Sequence, residues 1–217
     1  MDKTFISAIL ENLKPNKTLI AASKTRSKEE IEEAYKLGIN DFGENYVQEL
    51  IRKYKSEDKY NWHFIGRIQT KKIKDIVPRV SLIHGVSRIK EVEEINKQSQ
   101  KINKISNILI EVNLIPNDLT HGGIEEKELD TFINTCISYP NICLKGFMII
   151  GPNSDNEQEI EEVFIKGEQL FNMYKKRYSN ICELSMGMSD DYEIALRHSA
   201  TMIRIGTKIF GPRDYSK

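Results

Sequence analysis

Apolar and polar positions along this chain follow two periods that take turns. Short apolar runs, TLIAAS at 18–23, NWHFIG at 61–66, SLIHGV at 81–86, NILIEVNL at 107–114 and ICLKGFMII at 142–150, read as buried strands. DFGEN at 41–45, ICELS at 181–185 and MIRIG at 202–206 are shorter runs of the same kind. Between them the apolar spacing widens to that of a helix. The helical segments are 5–13, KEEIEEAYKLG at 28–38, YVQELIRKY at 46–54, a short basic stretch ending at Val77, RIKEVEEINKQSQ at 88–100, EKELDTFINTCIS at 126–138, 158–178 and DYEIALRHSA at 191–200. Ser27 with Glu30 three residues on has the spacing of a capping box, and Gly38 stops that helix. About eight strands alternating with helices predict a parallel sheet closed as a (β/α)8 TIM barrel. A doubly wound open sheet is the competing architecture, and it usually has fewer strands for this length.

Length and charge narrow the class. The chain has 217 residues, enough for one core, so a single domain over residues 1–217 is expected. Lys plus Arg equals Asp plus Glu at 32 each, which argues against a nucleic-acid partner. The run Lys71-Lys72-Ile73-Lys74 reads as a solvated helix start. The opening MDKTFISAILENLK has too short an apolar stretch for a signal peptide, and no segment is long enough to span a membrane. Cys136, Cys143 and Cys182 have no metal-like spacing and read as core thiols of a cytoplasmic protein.

The chemistry gathers at the two ends. Lys24 closes the first strand, at the mouth of the core. An ordinary lysine has a pKa near ~10.4, so fewer than about one in a thousand is neutral at pH 7. Desolvation lowers that value and opens Schiff-base chemistry with an aldehyde or ketone. A lysine that merely snorkels from a strand end fits this segment too. At the other end, Met186-Gly187-Met188 and Gly206-Thr207 are glycine turns after the last two strands, with Ser185, Ser189 and Thr207 as hydroxyl donors. Asp190 and Glu193 have the spacing of a second capping box. A barrel closes Lys24 against Gly206, and barrels often seat a phosphate after strands seven and eight. A ligand with both an aldehyde and a phosphate satisfies both halves. Pyridoxal 5'-phosphate is the obvious candidate, with Arg204 pointing inward two residues before Gly206.

The chain resembles the pyridoxal phosphate homeostasis proteins, related to the N-terminal barrel of alanine racemases. The resemblance runs nearly end to end through AASKT at 21–25, FGENYVQE at 42–49, WHFIGRIQ at 62–69, LKGFMIIGP at 144–152, LSMGMSDDYEIA at 184–195 and MIRIGTKIFGPRDY at 202–215. It implies that Lys24 forms the internal aldimine and that Ser185, Gly206 and Thr207 hold the phosphate, with Gly187 lending its turn. Arg204 then faces the pyridine nitrogen and Asn45 lies against the cofactor from the second strand. It also implies a non-enzymatic role in vitamin B6 and amino-acid homeostasis, with apo-enzymes as recipients of cofactor. Lys71, HGVSR at 84–88 and Thr120-His121-Gly122 depart from the usual family pattern, and all three fall on the rim of the site.

Two other functions compete. An amino-acid racemase needs a second base, which alanine racemases supply from another domain. Here little chain follows the last strand and a domain takes at least ~50 residues, so that base is expected to be missing unless His84 replaces it. Without that domain a monomer is expected. A cofactor-free Schiff-base aldolase also suits a barrel with a lysine and a phosphate site, and lacks the colour of bound pyridoxal phosphate. Among the remaining residues, His63 reads as a satisfied interior group, while His121 and His198 read as surface. Trp62, Phe64, Phe147 and Phe210 read as core, and Glu44 and Glu111 as polar interior groups at strand ends.

Overall fold

The computed structural model describes residues 1–115 and 122–212. The chain opens with helix α1 (Lys3–Asn12) and strand β1 (Thr18–Ala22), then α2 (Lys28–Lys36), β2 (Asp41–Glu44), α3 (Val47–Lys53) and β3 (Asn61–Phe64). There follow α4 (Ile73–Ile76), β4 (Leu82–Val86), α5 (Ile89–Lys101), β5 (Ser106–Glu111), α6 (Leu129–Ser138) and β6 (Ile142–Met148). Last come α7 (Glu157–Arg177), β7 (Glu183–Ser185), α8 (Tyr192–Arg197), β8 (Met202–Ile205) and the short α9 (Thr207–Phe210). The strands form a closed parallel barrel in sequence order, sealed where Thr18 pairs with Met202 and Ile20 with Arg204.

Strand alternation sorts the side chains into two cores. Outward residues such as Phe42, Phe64, Ile108, Phe147 and Ile203 pack against the helices. Inward, Ile20, Leu82, Leu109, Met148 and Met202 form a smaller apolar plug. Beside that plug the interior is polar, with His63 opposite Leu82 and Arg204 opposite Ile20 in the strand register. The helices are held by local chemistry. Ser27 and Glu30 close the expected capping box on α2, worth about 1 kcal/mol, and Gly38 ends that segment at φ 104°.

Some expectations need correction. The helix after β7 begins at Tyr192, and Asp191 stands at its N-cap, so the Asp190–Glu193 box does not form. Asp191 instead accepts from the Met188 amide at 2.5 Å, tying down the turn before the helix. Cys136 is buried, but Cys143 is only half-buried and Cys182 is exposed. His198 is not loose surface; it lies between Glu161 and Glu168. Thr120, His121 and the residues from Arg213 on lie outside the described residues. Among the described residues, no helix is long and apolar enough to cross a membrane.

Candidate functional site

Lys24 stands half-buried in the turn that follows β1, at the C-terminal mouth of the barrel. The residues on either side of it are gripped. Lys53, near the end of α3, donates to the Ser23 carbonyl at 2.8 Å, to Glu44 Oε1 at 2.7 Å and to Glu49 Oε2 at 2.6 Å. Ser23 Oγ donates to the same Glu44 oxygen at 2.7 Å, and the Thr25 amide donates to Glu49 Oε2 at 2.7 Å. Thr25 has φ 66°, a left-handed conformation that costs a non-glycine residue about 1–3 kcal/mol. The Glu49 carboxylate holds it there. Glu44 is fully buried, and burial raises its pKa against the opposing pull of Lys53. Its Oε2 has no hydrogen-bond partner among the described residues.

Across the seal, Ala21 pairs with Ile205, so the next position sets Ala22 beside Gly206. A Cβ placed on Gly206 would meet only Ala22, at 3.4 Å, leaving the backbone open toward the mouth. Thr207 is exposed at the same rim. Gly187 has φ 94°, and a Cβ there would come within 2.6 Å of the Ala195 methyl. The turn after β7 therefore needs glycine both for its backbone and for its closeness to α8.

Beneath these turns lies Arg204, 6% exposed. Its Nη1 donates to Ser185 Oγ at 2.7 Å and its Nη2 to the Ile149 carbonyl at 3.1 Å. Burial pulls its pKa down to about 10, while Asp191 and Glu111 favour its charge. Ser185, expected on the phosphate, is fully buried, with its hydroxyl between Arg204 and His84 Nδ1 at 3.2 Å. The reason is strand parity: Ser185 and Arg204 both face the barrel interior. His84 is fully buried too, so it does not line the mouth. Burial is the largest cause that drives its pKa well below 6.5, followed by its ionisable neighbours His63 and Arg204.

On the β3–β6 side the mouth widens into a cavity of about 690 Å³, lined by Asn45, Arg67, Arg88, Glu111 and Gly122 among others. Asn45 Oδ1 is buried on its wall with no hydrogen-bond partner among the described residues. Thus Asn45 lines this cavity, while the β1–β8 seal brings Lys24, Gly206 and Thr207 to the same end of the barrel, above Arg204. Lys53 and Glu49 were not legible as part of this site, because an i,i+4 Glu–Lys pair looks like ordinary helix surface.

This geometry has relatives. The model of the alanine racemase N-terminal domain matches residues 6–214. The pyridoxal phosphate homeostasis protein of Aquifex aeolicus (strain VF5) is 39% identical over 200 residues, covering 91% of this chain and 87% of that protein. The homeostasis protein of Escherichia coli (strain K12) is 37% identical over 206 residues, covering 92% and 87%. The chain belongs to this family. PipY of Synechococcus elongatus PCC7942, solved with PLP bound, superposes with TM-score 0.89 at 28% identity, over 96% of this chain and 99% of PipY. The alanine racemase of Clostridium difficile 630 shares the fold alone, at 12% identity and TM-score 0.81, and this chain spans 57% of its length. Family membership and the barrel are as the sequence motifs imply.

Proposed function

We propose that this chain is a pyridoxal 5'-phosphate-binding barrel that serves vitamin B6 and amino-acid homeostasis by holding and releasing the cofactor. The observation that carries this reading is the register across the barrel seal, which sets the Lys24 turn beside the open backbone of Gly206 with Arg204 below both. PipY, solved with PLP bound, supports it from outside.

The residues fit the cofactor. A guanidinium has five donors, and the hydrogen bonds to Ser185 and Ile149 use two of those of Arg204, a nearly buried cation with donors to spare. The orphaned Asn45 Oδ1 calls for a donor, and Gly206 leaves room where a side chain would intrude. In this reading Gly206 and Thr207 hold the phosphate, the Gly187 turn closes its flank, and Asn45 meets the ligand from the side. Ser185 supports Arg204 from below instead of binding the phosphate. The aldehyde of pyridoxal phosphate, when bound, condenses with amines, and Lys24 is the Schiff-base amine here. Arg204 has no acceptor, so it faces the pyridine nitrogen as a donor and leaves that nitrogen without a proton.

The same residues argue for holding over turnover. His84, the candidate second base, is committed inside the barrel. We infer a non-enzymatic protein of one barrel domain, cytoplasmic and monomeric, that passes cofactor to apo-enzymes. Titration of the purified chain with pyridoxal phosphate and with pyridoxal, followed by visible absorption, tests the reading. Much tighter uptake of the phosphorylated form is expected; equal affinity for the two contradicts a phosphate-anchored mode.

A further inference from the structure

A continuous row of polar side chains runs inside the barrel from Asp41, at the start of β2, to Arg204. Asp41 lies with Oδ1 3.0 Å from His63 Nε2. His63 Nδ1 is 3.2 Å from His84 Nε2, His84 Nδ1 is 3.2 Å from Ser185 Oγ, and Arg204 Nη1 is 2.7 Å from that same oxygen. His63 and His84 are both buried, at 4% and 0% exposure.

With both imidazoles neutral, the two ends fix the direction of the row. A guanidinium only donates and a carboxylate only accepts. Arg204 therefore donates to Ser185, and His63 donates through Nε2 to Asp41. With neutral imidazoles a single arrangement satisfies the middle. The Ser185 hydroxyl gives its proton to His84 Nδ1, and His84 Nε2–H gives to His63 Nδ1. Each member then accepts from the Arg204 side and donates toward Asp41, the arrangement in which hydrogen bonds reinforce one another. The neutral state of His84 also agrees with its complete burial beside a cation.

We propose that Asp41, His63, His84 and Ser185 form a one-way hydrogen-bond chain, with both histidines neutral and protonated on Nε2, that positions the guanidinium of Arg204 at the mouth. Asp41 and the two histidines are positioning residues: they act on the ligand through Arg204. For the cofactor, this rests on the reading that Arg204 faces the pyridine nitrogen. For the chain itself, it rests on the distances above together with neutral imidazoles.

Nitrogen NMR of the whole, cofactor-free protein carrying isotope-labelled histidine reads the tautomers directly. The expected result is a proton on Nε2 alone at His63 and His84, at neutral pH. A proton on Nδ1 of either ring, alone or in an imidazolium, overturns the proposal. Asp41→Leu removes the terminal acceptor, so His84, two links away, is expected to become a mixture of tautomers. Asp41→Asn keeps a carbonyl acceptor and is expected to restore the unsubstituted pattern. An unchanged His84 in Asp41→Leu overturns the coupling. With pyridoxal phosphate as the probe, Asp41→Leu is expected to weaken binding about ten-fold, on the scale of one hydrogen bond to a charged group, and Asp41→Asn much less. Equal affinity in both variants and the unsubstituted chain overturns the positioning role. If the unsubstituted chain takes up no pyridoxal phosphate, the functional reading fails instead, and the tautomers still decide the chain.

Discussion

The side-chain amine of Lys53 donates to the main-chain carbonyl of Ser23 at 2.8 Å, immediately before Lys24 in the chain. Its other two protons go to Glu44 and Glu49, and Glu49 holds the Thr25 amide immediately after. One buried cation thus braces both flanks of the lysine turn. Removing one partner of a buried ion pair costs about 3–5 kcal/mol because it strands the other charge. Lys53→Met is expected to lose stability on that scale in denaturant unfolding, and adding Glu44→Gln to recover part of it. A loss under ~1 kcal/mol for the single variant would show that the brace contributes little.

Folding linkage gives a second expectation. His84 is held neutral, with its pKa well below 6.5 through burial. Below pH 6.5 the unfolded chain takes up a proton at this site that the folded chain refuses. Stability from His84 is therefore complete above 6.5 and falls as pH drops beneath it, by up to ~1.4 kcal/mol per pH unit. Unfolding free energies measured at several pH values between neutrality and pH 5 should fall less steeply in His84→Gln. Parallel slopes would mean that His84 titrates alike in both states.

Much of this is readable from the chain itself. TLIAAS and MIRIG mark the strands that seal the barrel, and strand order follows from the alternation with helices. Lys24, Asn45, Gly206 and Thr207 stand at the same end of the barrel, as their strand-end positions imply. Ser185 was harder, because a serine before a glycine turn suits a phosphate as well as an interior bond. Its parity with Arg204 and its burial favour the interior bond, and neither is carried by a local pattern. Lys53 was harder still. Burial of a helix-end lysine depends on what packs over α3, and no local pattern carries that information.

Ser185 and Thr207 should separate in binding. Thr207→Ala removes a rim hydroxyl and is expected to weaken pyridoxal phosphate roughly ten-fold while leaving pyridoxal nearly unchanged. Ser185→Ala leaves the Arg204 and His84 nitrogens without a partner, so both vitamers should weaken together. Calorimetric titration of each variant with both ligands provides the comparison. Selective loss of pyridoxal phosphate in Ser185→Ala would put that hydroxyl back on the phosphate.

In the proposed reading, Arg204 facing the pyridine nitrogen sets the electronic character of the site. With an unprotonated pyridine nitrogen the ring is a poor electron sink, so transamination and racemisation are suppressed. Nitrogen NMR of labelled cofactor bound at neutral pH should report an unprotonated ring. Steady-state alanine racemisation near the ~10 s⁻¹ typical of enzymes would instead support a catalyst.

The central claim is that Lys24 holds the cofactor. The most direct measurement is borohydride reduction of the protein mixed with pyridoxal phosphate, followed by intact mass and peptide mapping. A single adduct on the peptide that carries Lys24 is expected, with none in Lys24→Ala. An adduct on another lysine such as Lys53, or uptake that borohydride does not fix, would contradict it.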